Sequence, residues 1–164
     1  MNYSLEEKFS EPYEVYIEYN TLKKIIFHTC HDFPFETMGF LIGDVFRWND
    51  REYTEIIDYG PVKSVATISR VIPAEGALGK FVGKYLHKFK NKILVGWYHS
   101  HPNYGCFLSE IDLDSQRRYF PQAYHVALVV DPVRKEFSFF KLEKEGGYRE
   151  ASYKVFRHAR SRKR

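Results

Sequence analysis

The sequence predicts a mixed α/β fold, a partly antiparallel β-sheet flanked by two or three helices. Short segments rich in Val, Ile, Phe and Tyr recur along the chain and read as strands. Two longer stretches, around residues 20–33 and 77–89, carry apolar residues at helical spacing instead. Strands joined by the tight turns Asn49-Asp50 and Asp131-Pro132 have no room for a crossover helix, so that part of the sheet is antiparallel. At 164 residues, 44% hydrophobic and 18% aromatic, the chain can bury one core without disulfides. One domain is expected over 13–156, with a loosely held arm at 1–12 and a basic tail at 157–164.

In YEVYIEY (13–19), Val15 and Ile17 fall on one face and tyrosines and acids on the other, as in a half-buried strand. NTLKKIIFHTCHDF (20–33) reads as a helix capped by Asn20. Its apolar stripe is Leu22, Ile25, Ile26 and Cys30, which places Cys30 in the core, and Pro34 ends it. GFLIGDVFRW (39–48) and EYTEIIDYGPV (52–62) are paired strands, and ATISRVI (66–72) reads as a further one. In PAEGALGKFVGKYLHKFKN (73–91), Ala77, Leu78, Phe81, Val82, Tyr85, Leu86 and Phe89 form a helical stripe, with His87 off it toward solvent. Gly79 and Gly83 lower its propensity, so this helix depends on packing. KILVGWYHSH (92–101) is a central strand stopped by Pro102, and SEIDLDSQRRYF (109–120) a short helix starting at Ser109. YHVALVVD (124–131) and EFSFFKLE (136–143) are strands, and YREASYKVF (148–156) closes the fold as a strand or short helix.

Several functional classes are disfavoured by composition. The longest apolar runs are far short of a membrane span, and MNYSLEEKFSEPYE has no apolar core for a secretory signal, so a cytoplasmic location is the expectation. Cys30 and Cys106 form no CxxC and no disulfide framework, and are expected to be reduced and structural. The net charge of +4 falls to −1 once Arg157, Arg160, Arg162, Lys163 and Arg164 of the tail are set aside. That is a solvated terminus rather than a nucleic-acid surface, and no nucleic-acid motif accompanies it.

The chemistry concentrates in GWYHSHPNYGCFLSEID (96–112). On a strand His99 and His101 point to one side and Ser100 to the other. Taken alone, such a pair is as readily two structural histidines, and Ser109-x-x-Asp112 is also the spacing of a capping box. The readings are compatible, since a cap would hold Asp112 rigidly enough to ligate. Two imidazoles and a carboxylate make a three-ligand zinc set with a fourth position open, a catalytic rather than structural arrangement. It would bring a water's pKa from ~15.7 toward roughly 7 and would need a non-ligating carboxylate as base. Glu36, in FPFETMGFLIG, reads from its residues as a turn acid. The patterns HxE…PCxxC, HExxH, GxSxG and GxxxxGK[ST] do not occur.

Together these positions resemble the JAMM (MPN-domain) metalloprotease family, whose signature is an upstream glutamate, then HxHP, six residues, and SxxD. Here the positions are Glu36, His99-Ser100-His101-Pro102, NYGCFL, and Ser109 to Asp112, with every defining residue present. GWYHSHP, GCFLS and VALVVDP look most like the branch of proteasome-lid and signalosome deubiquitinating subunits, and the likeness covers about 13–143. The resemblance implies a curved mixed sheet flanked by helices, related to the cytidine-deaminase architecture. It implies one zinc per chain on His99, His101 and Asp112, Glu36 as the base and proton carrier, and Ser109 as an oxyanion donor. The implied reaction is hydrolysis after the C-terminal tail of ubiquitin or a ubiquitin-like protein, for deconjugation or precursor maturation. The tail would be gripped as an added strand along VKSVATISRVIPAEG (62–76), in a groove admitting only small residues. Some members work only with an activating or MPN partner subunit. The short stretch from Phe120 to Tyr124 leaves little room for a substrate-selecting insertion, and no second His/Cys cluster points to a structural zinc. Compactness raises the expectation of a prokaryotic ubiquitin-like conjugation system, such as one in antiphage defence. Two competing readings are a non-catalytic MPN scaffold, which would have shed ligands, and a metallohydrolase processing a sulfur-carrier protein.

Overall fold

The computed structural model describes residues 12–62, 64–66, 71–73, 76–85, 88 and 91–158. Ten strands and three helices are found among them: β1 (Val15–Glu18), α1 (Tyr19–His31), β2 (Met38–Trp48), β3 (Arg51–Pro61), β4 (Ser64–Ala66), β5 (Val71–Pro73), α2 (Ala77–Tyr85), β6 (Ile93–Ser100), α3 (Glu110–Tyr119), β7 (Val126–Asp131), β8 (Glu136–Leu142), β9 (Tyr148–Glu150) and β10 (Tyr153–Phe156). Eight strands form one sheet in the order β10-β1-β3-β2-β6-β7-β8-β9, while β4 and β5 make a separate hairpin. The β2–β3, β2–β6, β7–β8 and β8–β9 pairs are antiparallel, whereas β6–β7, β1–β3 and β1–β10 are parallel. The mixed α/β class expected from the sequence is what forms. No helix among the described residues is long and apolar enough to cross a membrane.

The sheet curls into a half-barrel. Its two edge strands, β9 and β10, are separated by only Ala151 and Ser152, so the chain steps from one edge to the other. There the Ala151 amide donates to the Phe139 carbonyl (2.8 Å) and the Val15 amide to the Ser152 carbonyl (3.0 Å). Bulges help the bend. Ile42 pairs with Asp58 and Gly43 with Ile56, leaving Ile57 over in β3. A Cβ on Gly43 would lie 1.7 Å from the Glu55 carbonyl oxygen, so only glycine permits that approach.

Apolar clusters fill both faces. Val15, Ile17, Leu22, Ile25, Tyr98 and Leu128 pack with α1 on one. Met38, Phe40, Phe81, Trp97, Phe120 and Val129 pack with α2 and the ends of α3 on the other. Phe40 contacts Phe81 at 4.8 Å and Phe120 at 5.8 Å between ring centroids, and truncating such a ring typically costs about 3–5 kcal/mol.

Four local expectations are corrected. Glu18, not Asn20, caps α1: its Oε2 accepts the Thr21 amide at 2.8 Å, and Asn20 Nδ2 donates to its Oε1 at 3.0 Å. Cys30 is exposed, because the inward position of the last turn belongs to Thr29, whose hydroxyl is satisfied by the Ile26 carbonyl at 2.8 Å. A single strand over 66–72 is not what the described residues show: Ala66 ends β4 and Val71 begins β5, and the two pair antiparallel, while 67–70 lie outside the described residues. The last segment, 148–156, supplies two strands on opposite sheet edges rather than one element. The positions of Leu86, His87 and Phe89, of the arm 1–11 and of the tail beyond 158 lie outside the described residues.

Candidate metal centre

A bulge in β6 aims the two histidines. Leu41 pairs with Gly96 and Ile42 with Leu94, so Val95 is the extra residue and the in/out alternation resets across it. Leu94 and Trp97 therefore share one face while Val95 and Tyr98 share the other. His99 follows Trp97, and its ring stacks on the indole at 4.5 Å with 14° between planes. His101 lies just beyond the strand on the same side, with His99 Nε2 and His101 Nε2 3.0 Å apart.

Asp112 arrives from α3. Ser109 caps that helix, its Oγ accepting the Asp112 amide at 3.2 Å while Asp112 Oδ2 accepts the Ser109 amide at 2.8 Å, the reciprocal capping box. Lower on the helix, Gln116 Oε1 accepts the Trp97 indole N–H and its Nε2 donates to the Phe120 carbonyl at 3.1 Å. The residue beneath His99 thus also tethers the helix that carries Asp112. Asp112 Oδ2 ends 3.3 Å from both imidazole Nε2 atoms.

These three side chains are buried and form the one cluster of metal-binding type among the described residues. Their donor atoms make a triangle of 3.0, 3.3 and 3.3 Å. A tetrahedral zinc with donors at roughly 2.0–2.1 Å holds them about 3.3 Å from one another, so the set fits that ion. His101 Nδ1 faces the Gly105 carbonyl at 3.2 Å, which puts its N–H there and leaves Nε2 free to ligate. His99 Nδ1 has no hydrogen-bond partner among the described residues, so that ring is oriented by the Trp97 stack. Burial would raise the Asp112 carboxyl, but the two imidazoles and the Ser109 hydroxyl outweigh it and hold the group far below the usual range. Burial lowers His99, whereas for His101 the Asp112 and Glu36 carboxylates and the Gly105 carbonyl outweigh burial and raise it.

Glu36 reaches this cluster through strand register. Met38 pairs with His99 across β2 and β6, so the residue two before Met38 comes level with His101. The pairing continues past the strand ends, where the Ser100 amide donates to the Thr37 carbonyl (3.0 Å) and the Thr37 amide to Ser100 Oγ (2.9 Å). Ser100, pointing away from the histidines, thus clamps the loop that carries Glu36. The Glu36 carboxyl is pushed up to about 7, by burial first and then by the Asp112 charge, with His101 opposing. A cleft of about 710 Å³ opens beside it, with Phe33, Phe35, Met38 and Pro61 among its walls.

The structure therefore brings together all five residues singled out in the sequence. Sequence reasoning did not anticipate the roles of Ser100, Trp97 and Gln116; the away-facing position of Ser100 in the strand was its only advance sign. Cys106 lies near the site, but burial raises its thiol to about 11 and it donates to the Val129 carbonyl at 3.5 Å, which fits a structural residue. Of 62–76, the described parts are Val62, the β4–β5 hairpin and Gly76; the expected tail-binding strand otherwise falls on residues outside the description.

Residues 10–123 match the family described as JAB1/Mov34/MPN/PAD-1 ubiquitin protease. The chain belongs to that family. Over 128 residues, 73% of its length, it is 34% identical to the 26S proteasome regulatory subunit RPN11 of Eremothecium gossypii. It is 32% identical over 124 residues to the ubiquitin carboxyl-terminal hydrolase RPN11 of Saccharomyces cerevisiae. These alignments span 38% and 39% of the relatives, so the chain matches about two fifths of their length. The solution structure of protein DSY2949 from Desulfitobacterium hafniense superposes with a TM-score of 0.68 at 17% identity, covering 89% of this chain and 95% of that one, which shows a shared fold. Within this JAB/MPN chain the family match covers Glu36, His99, His101, Ser109 and Asp112.

Proposed function

We propose that this JAB/MPN chain is a zinc-dependent isopeptidase or peptidase that hydrolyses the bond directly after the C-terminal tail of ubiquitin or a ubiquitin-like protein. The observation that carries this reading is the buried donor triangle of His99, His101 and Asp112 with an uncoordinated carboxyl, Glu36, brought level with it. Support for the substrate class comes from the relative named a ubiquitin carboxyl-terminal hydrolase. Zinc held by the three donors would supply Lewis acidity, toward a water and toward the scissile carbonyl alike. Glu36, with its carboxyl near 7, takes a proton from the attacking water and delivers it to the leaving amine as the C–N bond breaks. Ser109 Oγ, which donates to Asp112 Oδ2 at 2.7 Å, turns from that carboxylate to the developing oxyanion. Loss of such a donor typically costs on the order of 10²–10³ in rate. The extended tail adds as a strand along the 62–76 segment, and the completeness of the ligand set favours an enzyme over a scaffold.

The test is cleavage of a ubiquitin-like protein fused to a reporter, by wild type, by Glu36→Ala and by wild type with a zinc chelator. Cleavage only by untreated wild type, directly after the tail, is expected. Equal cleavage by Glu36→Ala would remove Glu36 from the mechanism, and a chain that binds no zinc and cuts nothing would return the scaffold reading.

A further inference from the structure

The loop between His101 and α3 is wrapped around one buried carboxylate. Asp131, at the end of β7 and fully buried, accepts four backbone N–H bonds. Its Oδ1 takes Asn103, Val133 and Arg134 at 3.0 Å each, and its Oδ2 takes Gly105 at 2.8 Å. Two of these donors belong to its own turn and two to the loop after the histidines. That loop needs left-handed backbone at both points of attachment, φ 66° at Asn103 and 85° at Gly105. The Arg134 guanidinium braces the arrangement from outside, its Nε 3.6 Å from Asp131 Oδ2 and its Nη2 donating to the Asn103 carbonyl at 3.2 Å.

The Gly105 peptide is where this matters for the metal centre. Its amide is held by Asp131, and the carbonyl of the same residue faces His101 Nδ1 at 3.2 Å. The His101 amide is fixed too, donating to the carbonyl of Val130, the residue before Asp131, at 2.9 Å. His101 is therefore the ligand imidazole with a hydrogen-bonded outer partner, since His99 Nδ1 has none among the described residues. Four donors converging on one carboxylate more than offset its burial, so it stays ionised and holds the loop firmly.

We propose that Asp131 is a positioning residue for the metal centre, which acts through the Gly105 peptide to fix the His101 tautomer and ring so that Nε2 faces the zinc. This rests on the zinc reading above, and Asp131 does not touch the reacting atoms. Replacing an outer partner of this kind typically costs about 10–100-fold in metal affinity. Asp131→Asn keeps shape and one acceptor oxygen but sets an NH₂ against backbone donors, so it breaks the clamp with minimal change of volume.

The experiment measures zinc affinity by competition with a chromophoric chelator, the Co²⁺ ligand-field spectrum, and the His101 tautomer by ¹⁵N NMR on the chelated protein. Asp131→Asn should bind zinc about 10–100-fold more weakly, show an altered Co²⁺ spectrum and lose the Nδ1–H tautomer preference. Leu22→Ala in α1, outside this hydrogen-bond network, should lower thermal stability while keeping the affinity and spectrum of wild type. Arg134→Gln, which leaves the carboxylate in place, should weaken zinc only a few-fold. Should Asp131→Asn fail to fold, Arg134→Gln and the wild-type tautomer decide the matter. Unchanged zinc affinity and an unchanged Nδ1 proton in the variants, or a wild-type His101 with no proton on Nδ1, would overturn the proposal. The tautomer is read without metal or substrate, so it remains decisive if wild type binds no zinc and the functional reading itself fails.

Discussion

The two halves of the site are held in contrasting ways. On one side His99, His101 and Asp112 are backed at several points: the Trp97 stack under His99, the Gly105 carbonyl on His101, the capping box on Asp112 and the Gln116 tether between strand and helix. On the other side Glu36 sits in a loop attached through Thr37 to Ser100, and it borders a cleft of about 710 Å³. The difference suits the two tasks. Under the proposed function, ligands would have to keep a fixed triangle, whereas a proton carrier would have to swing between a water and a leaving group. Burial, aided by the Asp112 charge, is also what raises the Glu36 carboxyl to about 7.

The strongest way to break this contrast is to exchange the losses. Asp112→Ala removes a ligand and leaves two buried imidazoles without their carboxylate, so zinc binding and cleavage should vanish together. Glu36→Gln should instead bind one zinc per chain as wild type does, while turnover falls by about 10²–10⁴. Metal content by atomic absorption, set beside kcat, checks both. If Glu36→Gln also lost its zinc, Glu36 would belong with the ligands and the division would collapse.

A stability measurement sharpens the same point, and its sign is fixed by the raised carboxyl. An acid whose folded pKa lies above its unfolded value of 4.5 opposes folding as pH rises from about 4.5, and the cost is full above about 7. The ceiling is about 3 kcal/mol. With zinc chelated, Glu36→Gln should therefore melt higher than wild type at pH 8 and no higher at pH 4. Equal melting at both would mean that the carboxyl is not under that strain.

Ser100→Ala should have a smaller effect. It leaves the buried Thr37 amide without its acceptor, a cost of about 1–3 kcal/mol. It also loosens the Glu36 loop, so turnover should fall about tenfold while zinc affinity stays near wild type. A matching loss of zinc affinity would show that the clamp serves both halves alike.

The unequal legibility of the halves in the sequence has the same physical origin. His99, His101, Ser109 and Asp112 lie within one stretch of fourteen residues, where strand alternation and helix capping are short-range rules. The shared face of the histidines and the cap at Ser109 could therefore be read from spacing, although their joining into one site rested on the family resemblance. Glu36 meets them only through the β2–β6 register, across a separation of 63 residues at the Thr37–Ser100 bond, and no local pattern encodes that. The family resemblance pointed to it where spacing could not. The strand and helix pattern was mostly legible for the same short-range reasons. Cys30 was misplaced because Thr29 is polar, and apolar periodicity cannot foresee a hydroxyl satisfied by its own helix. Asp131 read as a turn residue because its second pair of donors comes from a loop 26 to 28 residues away.

The smallest expected effect tests whether the contrast is local. Far from the site, the seam where the sheet edges meet is held by Arg149, whose Nη1 and Nη2 donate to Glu14 at 2.9 and 2.5 Å, while Glu14 also accepts the Ser152 amide at 3.1 Å. The Arg149 bond is the main influence holding Glu14 below its usual pKa, against burial. A lowered acid contributes stability that is present above its unfolded pKa and lost as pH falls through the folded one. Because 45% of the Arg149 side chain and 30% of Glu14 remain exposed, water screens the pair and Arg149→Met should cost only about 0.5–1 kcal/mol at pH 7. The deficit should shrink as pH drops toward 3, and zinc affinity and kcat should match wild type throughout. A parallel fall in kcat would mean that half-barrel closure is transmitted to the Glu36 loop, and the weak attachment of that loop would then be a property of the whole sheet.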